Sequence, residues 1–142
     1  MNQETIQIPR KISNFLLHAA QLSPELEICG LIGSKNGLAI SCYPINNTAI
    51  TPENRFLLDS KQQIAAMSKM REQEEDLFAI YHSHPHAPAL PSATDIKLAS
   101  YPDVLHLIIS LNTKGILEMR GFKIDKDTTR EIMLSLIEND AN

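Results

Sequence analysis

Two histidines one residue apart, His82 and His84, are followed by Ser92 and Asp95, and these residue types at this spacing suit the capture of a zinc ion. The run before them, Asp76-Leu77-Phe78-Ala79-Ile80-Tyr81, reads as a buried strand that ends at the histidines. Residues i and i+2 of an extended chain point the same way, so both imidazoles face one ion from a rigid edge. A helix achieves this only with i, i+4 spacing, as in H-E-x-x-H. Pro85, Pro88 and Pro91 stiffen the connecting loop, which allows Asp95 to return as a third ligand. Three protein ligands leave the fourth tetrahedral position open, which distinguishes a catalytic zinc from a structural one.

The pattern HxH followed by x7-S-x2-D resembles the signature of the JAMM (MPN-plus) metallopeptidases, in their small single-domain prokaryotic form. That family sets a glutamate just ahead of a small Cys-Gly-like pair opening an apolar strand. In Glu25-Leu26-Glu27-Ile28-Cys29-Gly30-Leu31-Ile32-Gly33, Glu27 takes the matching position and Glu25 is its close competitor. The resemblance implies one zinc per chain, held by neutral His82 and His84 and by the Asp95 carboxylate. Glu27 would stay off the metal as general base, passing the proton on to the leaving amine. Ser92 would offer its hydroxyl to the tetrahedral oxyanion. The implied fold is a cytidine-deaminase-like sandwich. The implied substrate is a ubiquitin-like or sulfur-carrier protein, cut at a peptide or isopeptide bond after its C-terminal Gly-Gly. A diglycine tail suits a narrow channel beside a sheet edge, where backbone hydrogen bonds hold it in register. The segments 46–56 and 86–91 are the candidate edges.

Other readings compete. Ser92-Ala93-Thr94-Asp95 is also a helix start, with Ser92 as N-cap and an acid three residues on, and capping and catalysis can share Ser92. A non-catalytic MPN scaffold would keep the fold without turnover, but all five polar site residues are present. A zinc deaminase also joins zinc-bound water to a glutamate, yet the downstream P-C-x-x-C of that class is missing. His86 continues the i+2 series but follows Pro85, so it is assigned to the solvated rim. His106 lies in an apolar strand and reads as a hydrogen-bonded core residue. His18 belongs to a helix and has no assigned role.

The elements that must position these residues fit in one domain spanning 1–142. Hydrophobic residues make up 43%, charged residues 21%, and the formal charge is -4. This composition offers no basic stripe for nucleic acid. The longest apolar run, Val104 to Leu111, is too short for a membrane span. A start without the charged and apolar stretches of a secretory signal places the protein in the cytosol, where Cys29 and Cys42 are expected as buried reduced thiols. Oligomeric state is left open.

Pro9, Ile12, Phe15, Leu16, Ala19 and Ala20 predict an amphipathic helix ending near Leu22. Residues 27–33 and 38–45 predict two strands around an Asn36-Gly37 turn, and Arg55 to Leu58 a further short strand. Asp59 or Ser60 caps a second helix with Ile64, Met67 and Met70 facing inward. A short third helix runs from Ser92 to Ala99. Strands follow at 104–111 and, after a turn at Asn112-Thr113-Lys114-Gly115, at 116–124. A closing helix is expected from about Asp127 to Ile137, with Ile132, Met133, Leu136 and Ile137 as its apolar stripe. The sum is an α/β fold: a mixed β-sheet flanked by helices.

Overall fold

The strand that ends in the two histidines runs inside a seven-stranded mixed sheet. The computed structural model describes residues 4–112, 117–126 and 128–138. The expected turn at 113–115, the strand start at Ile116, the helix start at Asp127 and the first three residues lie outside the described residues. In chain order the elements are β1 (Thr5–Pro9), α1 (Arg10–Gln21), β2 (Cys29–Lys35), β3 (Leu38–Ile45), α2 (Ser60–Glu72), β4 (Asp76–His84), α3 (Ala93–Leu98), β5 (Leu105–Ser110), β6 (Glu118–Asp125) and β7 (Thr128–Ile137). The strand order is β1-β7-β6-β5-β4-β2-β3. The pairs β1/β7 and β4/β5 are parallel, and the rest are antiparallel.

Strand alternation sorts the core into two layers. Ala79 and Tyr81 of β4, with Leu105, Leu107 and Ile109 of β5, pack against Ile12, Leu16 and Ala20 of α1. Ile80 turns the other way and joins Leu31, Ile45, Ala66 and Met70 under α2. Ile108 shares that second face with Phe122 and Ile124, covered by Ile96 of α3. Each fully buried Leu or Ile contributes about 1.5–3 kcal/mol relative to exposure, so the sheet is fixed from both sides. His82 and His84 have the parity of Ile80, and His106 is the register partner of Ile80. All three histidines therefore project to the α2/α3 face.

The hairpin between β2 and β3 follows the sequence signal. Asn36 and Gly37 both adopt positive φ, 51° and 80°, as a two-residue turn matching strand twist requires. Elsewhere the sequence reading needs correction. The expected closing helix is β7, which pairs antiparallel with β6 and parallel with β1. Thr128, Thr129, Ile132 and Ile137 are β-branched and suit a strand. Ile132 is 1% exposed, whereas Met133 and Leu136 are 49% and 40% exposed, so the apparent helical stripe is only half buried. Its partner β1 went unread because five residues give too little alternation, and Pro9 stands as N-cap of α1 rather than in its first turn. Ile64 is also outward, 70% exposed, leaving Ala66 and Met70 to seat α2. The expected strand at 55–58 is reduced to one bridge, Asn47 to Leu58. No described helix is long and apolar enough to cross a membrane.

Candidate metal centre

At the end of β4 three ligand atoms converge. His82 Nε2 lies 3.1 Å from His84 Nε2, and Asp95 Oδ2 lies 3.1 Å from the first and 3.2 Å from the second. All three side chains are buried. His84 Nδ1 is 2.8 Å from the Pro88 carbonyl. A carbonyl only accepts, so Nδ1 carries the hydrogen and a neutral ring presents a bare lone pair at Nε2. That lone pair faces the Asp95 carboxylate oxygen, an arrangement that calls for a cation between them. Tetrahedral zinc with bonds of about 2.0–2.1 Å sets neighbouring ligand atoms about 3.3 Å apart, close to the three separations here. The donor set therefore fits the ion.

Protonation preferences follow from this packing. Burial alone would push the Asp95 carboxyl upward, but hydrogen bonds with His82 and His84 and the Ser92 backbone N–H hold it far below the usual carboxylate range. Burial lowers the His82 pKa, with Asp95 opposing in part. In His84 burial again opposes the charge, but Asp95 and the Pro88 carbonyl outweigh it and raise the pKa.

Glu27 stands on the same side, and its carboxylate lies within 4.8 Å of both histidine nitrogens. Both histidines thus belong to two possible trios, one closed by Asp95 and one by Glu27. Burial raises the Glu27 pKa to about 7, with His84 lowering it and Asp95 raising it. Its Oε1 is buried without a hydrogen-bond partner among the described residues, and buried unpaired oxygens are rare outside functional sites. Glu25 is exposed and sits 3.4 Å from exposed His86. That pair forms a rim contact away from the cluster.

Ser92 caps α3. Its Oγ accepts from the Asp95 N–H at 3.0 Å, and Asp95 Oδ2 accepts from the Ser92 N–H at 2.9 Å. This capping box delivers Asp95 to the histidines, so one motif serves both helix start and site. The Ser92 hydroxyl hydrogen is not used in that bond, because the oxygen is the acceptor.

The segments named as candidate substrate edges turn out to hold the site. The Glu27 N–H donates to the Pro52 carbonyl at 2.8 Å, and the Glu27 carbonyl accepts from Asn47 Nδ2 at 3.0 Å. Asn47 also bonds the Arg55 carbonyl and the Ala49 and Leu57 N–H groups, which clamps the loop over Glu27. Phe56 stacks on the His82 ring with centroids 4.3 Å apart. On the other side Ser110 Oγ donates to the Ala87 carbonyl at 2.7 Å, pinning the loop whose Pro88 fixes the His84 tautomer. Asn47, Pro52, Phe56, Pro88 and Ser110 were not assigned these tasks from sequence. Their signals, an Asn and prolines in loops, are shared by ordinary turns. His106 is buried as expected, but its Nε2 has no partner among the described residues.

The family model for prokaryotic homologs of the JAB domain matches residues 9–122. The chain belongs to that family. Among its relatives, the desampylase of Haloferax volcanii is 32% identical over 89 residues, which span 61% of this chain and 64% of that protein. The CysO-cysteine peptidase of Mycobacterium tuberculosis is 29% identical over 131 residues, 89% of this chain and 87% of the peptidase. A protein of Desulfitobacterium hafniense solved in solution superposes with a TM-score of 0.79 at 33% identity, covering 96% of this chain and 95% of that one. In this JAB-domain chain the mixed sheet with helices on both faces is the JAMM/MPN sandwich. The free thiols Cys29 and Cys42 lie outside the metal cluster. Burial raises the Cys29 thiol to about 12 and the Cys42 thiol to about 11, so neither is a ready nucleophile.

Proposed function

We propose that this JAB-domain protein is a cytosolic zinc metallopeptidase that hydrolyses the peptide or isopeptide bond after the C-terminal Gly-Gly of a ubiquitin-like or sulfur-carrier protein. The observation that carries the reading is the convergence of His82 Nε2, His84 Nε2 and Asp95 Oδ2 beside a buried, unpartnered Glu27 oxygen. One zinc per chain would be held by His82, His84 and Asp95. Bound there, zinc supplies Lewis acidity and lowers the pKa of a coordinated water from about 15.7 to about 7. Asp95 is preferred as third ligand because its oxygen touches both imidazole nitrogens and its carboxyl is held ionised.

That assignment leaves Glu27 free to act as base. Its carboxylate would accept a proton from the attacking water and return it to the leaving amine, so one group serves both proton transfers. Ser92 donates its unused hydroxyl hydrogen to the oxyanion; one such donor is typically worth about 10²–10³ in rate. The Asn47 clamp and the Pro52 carbonyl hold Glu27 in place. The Pro88 carbonyl keeps the His84 lone pair at Nε2, as partners behind a metal-bound histidine commonly do. The diglycine tail is supported by kinship with the CysO-cysteine peptidase and the desampylase. It is also supported by the groove beside Glu27 walled by Asn46, Asn47, Thr48 and Pro52.

Metal content measured by mass spectrometry on protein purified without chelators, for the parent and His82→Ala, tests the centre. A cleavage assay on diglycine-linked carrier fusions follows. About one zinc per chain, lost in the variant, together with cleavage after Gly-Gly, is the expected result. No zinc in either protein after reconstitution would instead favour a binding scaffold. Asp95→Ala should weaken zinc retention. If it binds zinc as tightly as the parent, Glu27 is the third ligand and the assignment of base fails.

A further inference from the structure

A second cavity opens at the metal centre, and it shares no lining residue with the Glu27 groove. It measures about 240 Å³ and begins at His82 and Asp95. Its apolar walls come from Phe56, Leu58, Ile80 and Leu98, and uncharged polar residues such as Gln63 and Thr94 share the lining with His106. Leu98 is 57% exposed and stands at the rim. His106 is 5% exposed and its Nε2 has no partner among the described residues. A cavity of about 150 Å³ holds a benzene ring, so this one has room for a whole side chain. Among the described residues no lysine, arginine or glutamate lines it, and Asp95 is already engaged by His82, His84 and the Ser92 N–H.

We propose that this cavity is a specificity subsite for the residue on the amine side of the cleaved bond, and that it selects an uncharged, largely apolar side chain. The inference rests on the diglycine reading above. A tail ending in Gly-Gly brings no side chain to the bond, so a side-chain-sized cavity beside the reacting atoms has nothing to take from the carrier. The residue contributing the leaving amine is the next group along the substrate. An apolar side chain there displaces water from Phe56, Leu58, Ile80 and Leu98. A charged one would lose its hydration and find no free counter-charge, a cost that exceeds the gain from burying its stem. The buried His106 ring adds one hydrogen-bonding group to the lining. It can receive a small polar group without calling for an acid.

The test uses the zinc-loaded full chain and carrier fusions that differ only in the residue after Gly-Gly: glycine, leucine, methionine, lysine or aspartate. Leucine and methionine should exceed lysine and aspartate in kcat/KM by about 10-fold or more, the range one filled apolar pocket supplies. Leu98→Glu places an acid at the rim and should shift the leucine-to-lysine ratio toward lysine by a similar factor. A ratio is the readout, so a general loss of activity from misfolding cannot imitate the shift. Cleavage of all five fusions at equal efficiency, or a ratio unmoved by Leu98→Glu, would overturn the subsite while leaving the diglycine reading intact. Failure to cut any fusion, glycine included, and equally a carrier joined through Gly-Gly to a lysine Nζ, would overturn the diglycine reading itself and the subsite with it.

Discussion

Glu27 and Glu75 are both buried carboxylates, placed at opposite ends of the antiparallel β2/β4 pair, and the protein treats them in opposite ways. Glu75 accepts from the Tyr43 hydroxyl at 2.8 Å and from Ser41 Oγ at 3.1 Å. Room for it exists because residue 33 is glycine: a Cβ there would collide with Glu75 Oε1. Glu27 has no such escort among the described residues, where its Oε1 is unpartnered, and burial drives its pKa to about 7. A satisfied buried carboxylate ties strands together, whereas an unsatisfied one stores free energy that chemistry can use. One end of the pair is satisfied, and the other leaves a carboxylate free for the proposed role of base.

The widest separation should appear in turnover. On the proposed assignment Glu27→Gln removes the base and spares the ligands, so zinc should remain bound and the cleavage rate should fall by about 10²–10⁴. Glu75→Gln should leave turnover near the parent value, because the residue lies at the far end of the strands. Single-turnover cleavage with zinc analysis of the same samples measures both. Comparable losses in the two variants would erase the distinction between the ends.

How much of this contrast was legible in the sequence depends on range. His82, His84, Ser92 and Asp95 lie within one local segment, and strand parity plus a capping box bring them together, so local rules sufficed. Glu27 required a family resemblance to be noticed, because its neighbour Glu25 is chemically identical and only the loop closed by Asn47 and Pro52 distinguishes them. The Glu75 cluster joins β3 to the start of β4, and no local pattern announces it. β7 shows the same limit at the level of fold. Its apolar residues satisfy a helical stripe on paper, and pairing with β1 and β6, far apart in sequence, decides for a strand.

Acid titration of the metal-free protein sharpens the contrast at the site end. His106 has a folded pKa of about 4 against about 6.5 unfolded. Between those values the unfolded state binds more protons, so stability falls as pH drops below about 6.5 and levels off below about 4. The 2.5-unit gap corresponds to a loss of order 3 kcal/mol. Urea unfolding from pH 7 to pH 4 should show a steeper decline in the parent than in His106→Gln. Parallel curves would show that His106 titrates normally in the fold.

At the far end the corresponding change is steric. Gly33→Ala forces Glu75 away from Tyr43 and Ser41 or shifts the β2 bulge, with an expected cost of about 1–3 kcal/mol. Its cleavage rate, measured at a temperature where the variant is folded, should stay near the parent's. A large loss of turnover without a loss of stability would mean that the two ends are coupled through β2.

The smallest expected effect runs in the opposite direction. Burial raises the Glu27 pKa from its ordinary 4.5 to about 7 in the folded chain, so the folded state binds more protons between those pH values. Its contribution to stability is therefore fully favourable only below the lower value and is lost as pH rises through the upper one. Replacing it with an uncharged amide removes that loss but buries an unpartnered amide in its place, which offsets most of the gain. In metal-free protein, Glu27→Gln should melt a few degrees above the parent at pH 8, and the difference should shrink at pH 5, where the parent carboxyl is mostly protonated. Glu75→Gln, which weakens a satisfied pair of hydrogen bonds, should melt below the parent at pH 8. A gain at position 27 with the rate lost, set against a loss at position 75 with the rate kept, is the trade expected where one carboxylate is held for catalysis and the other for the fold.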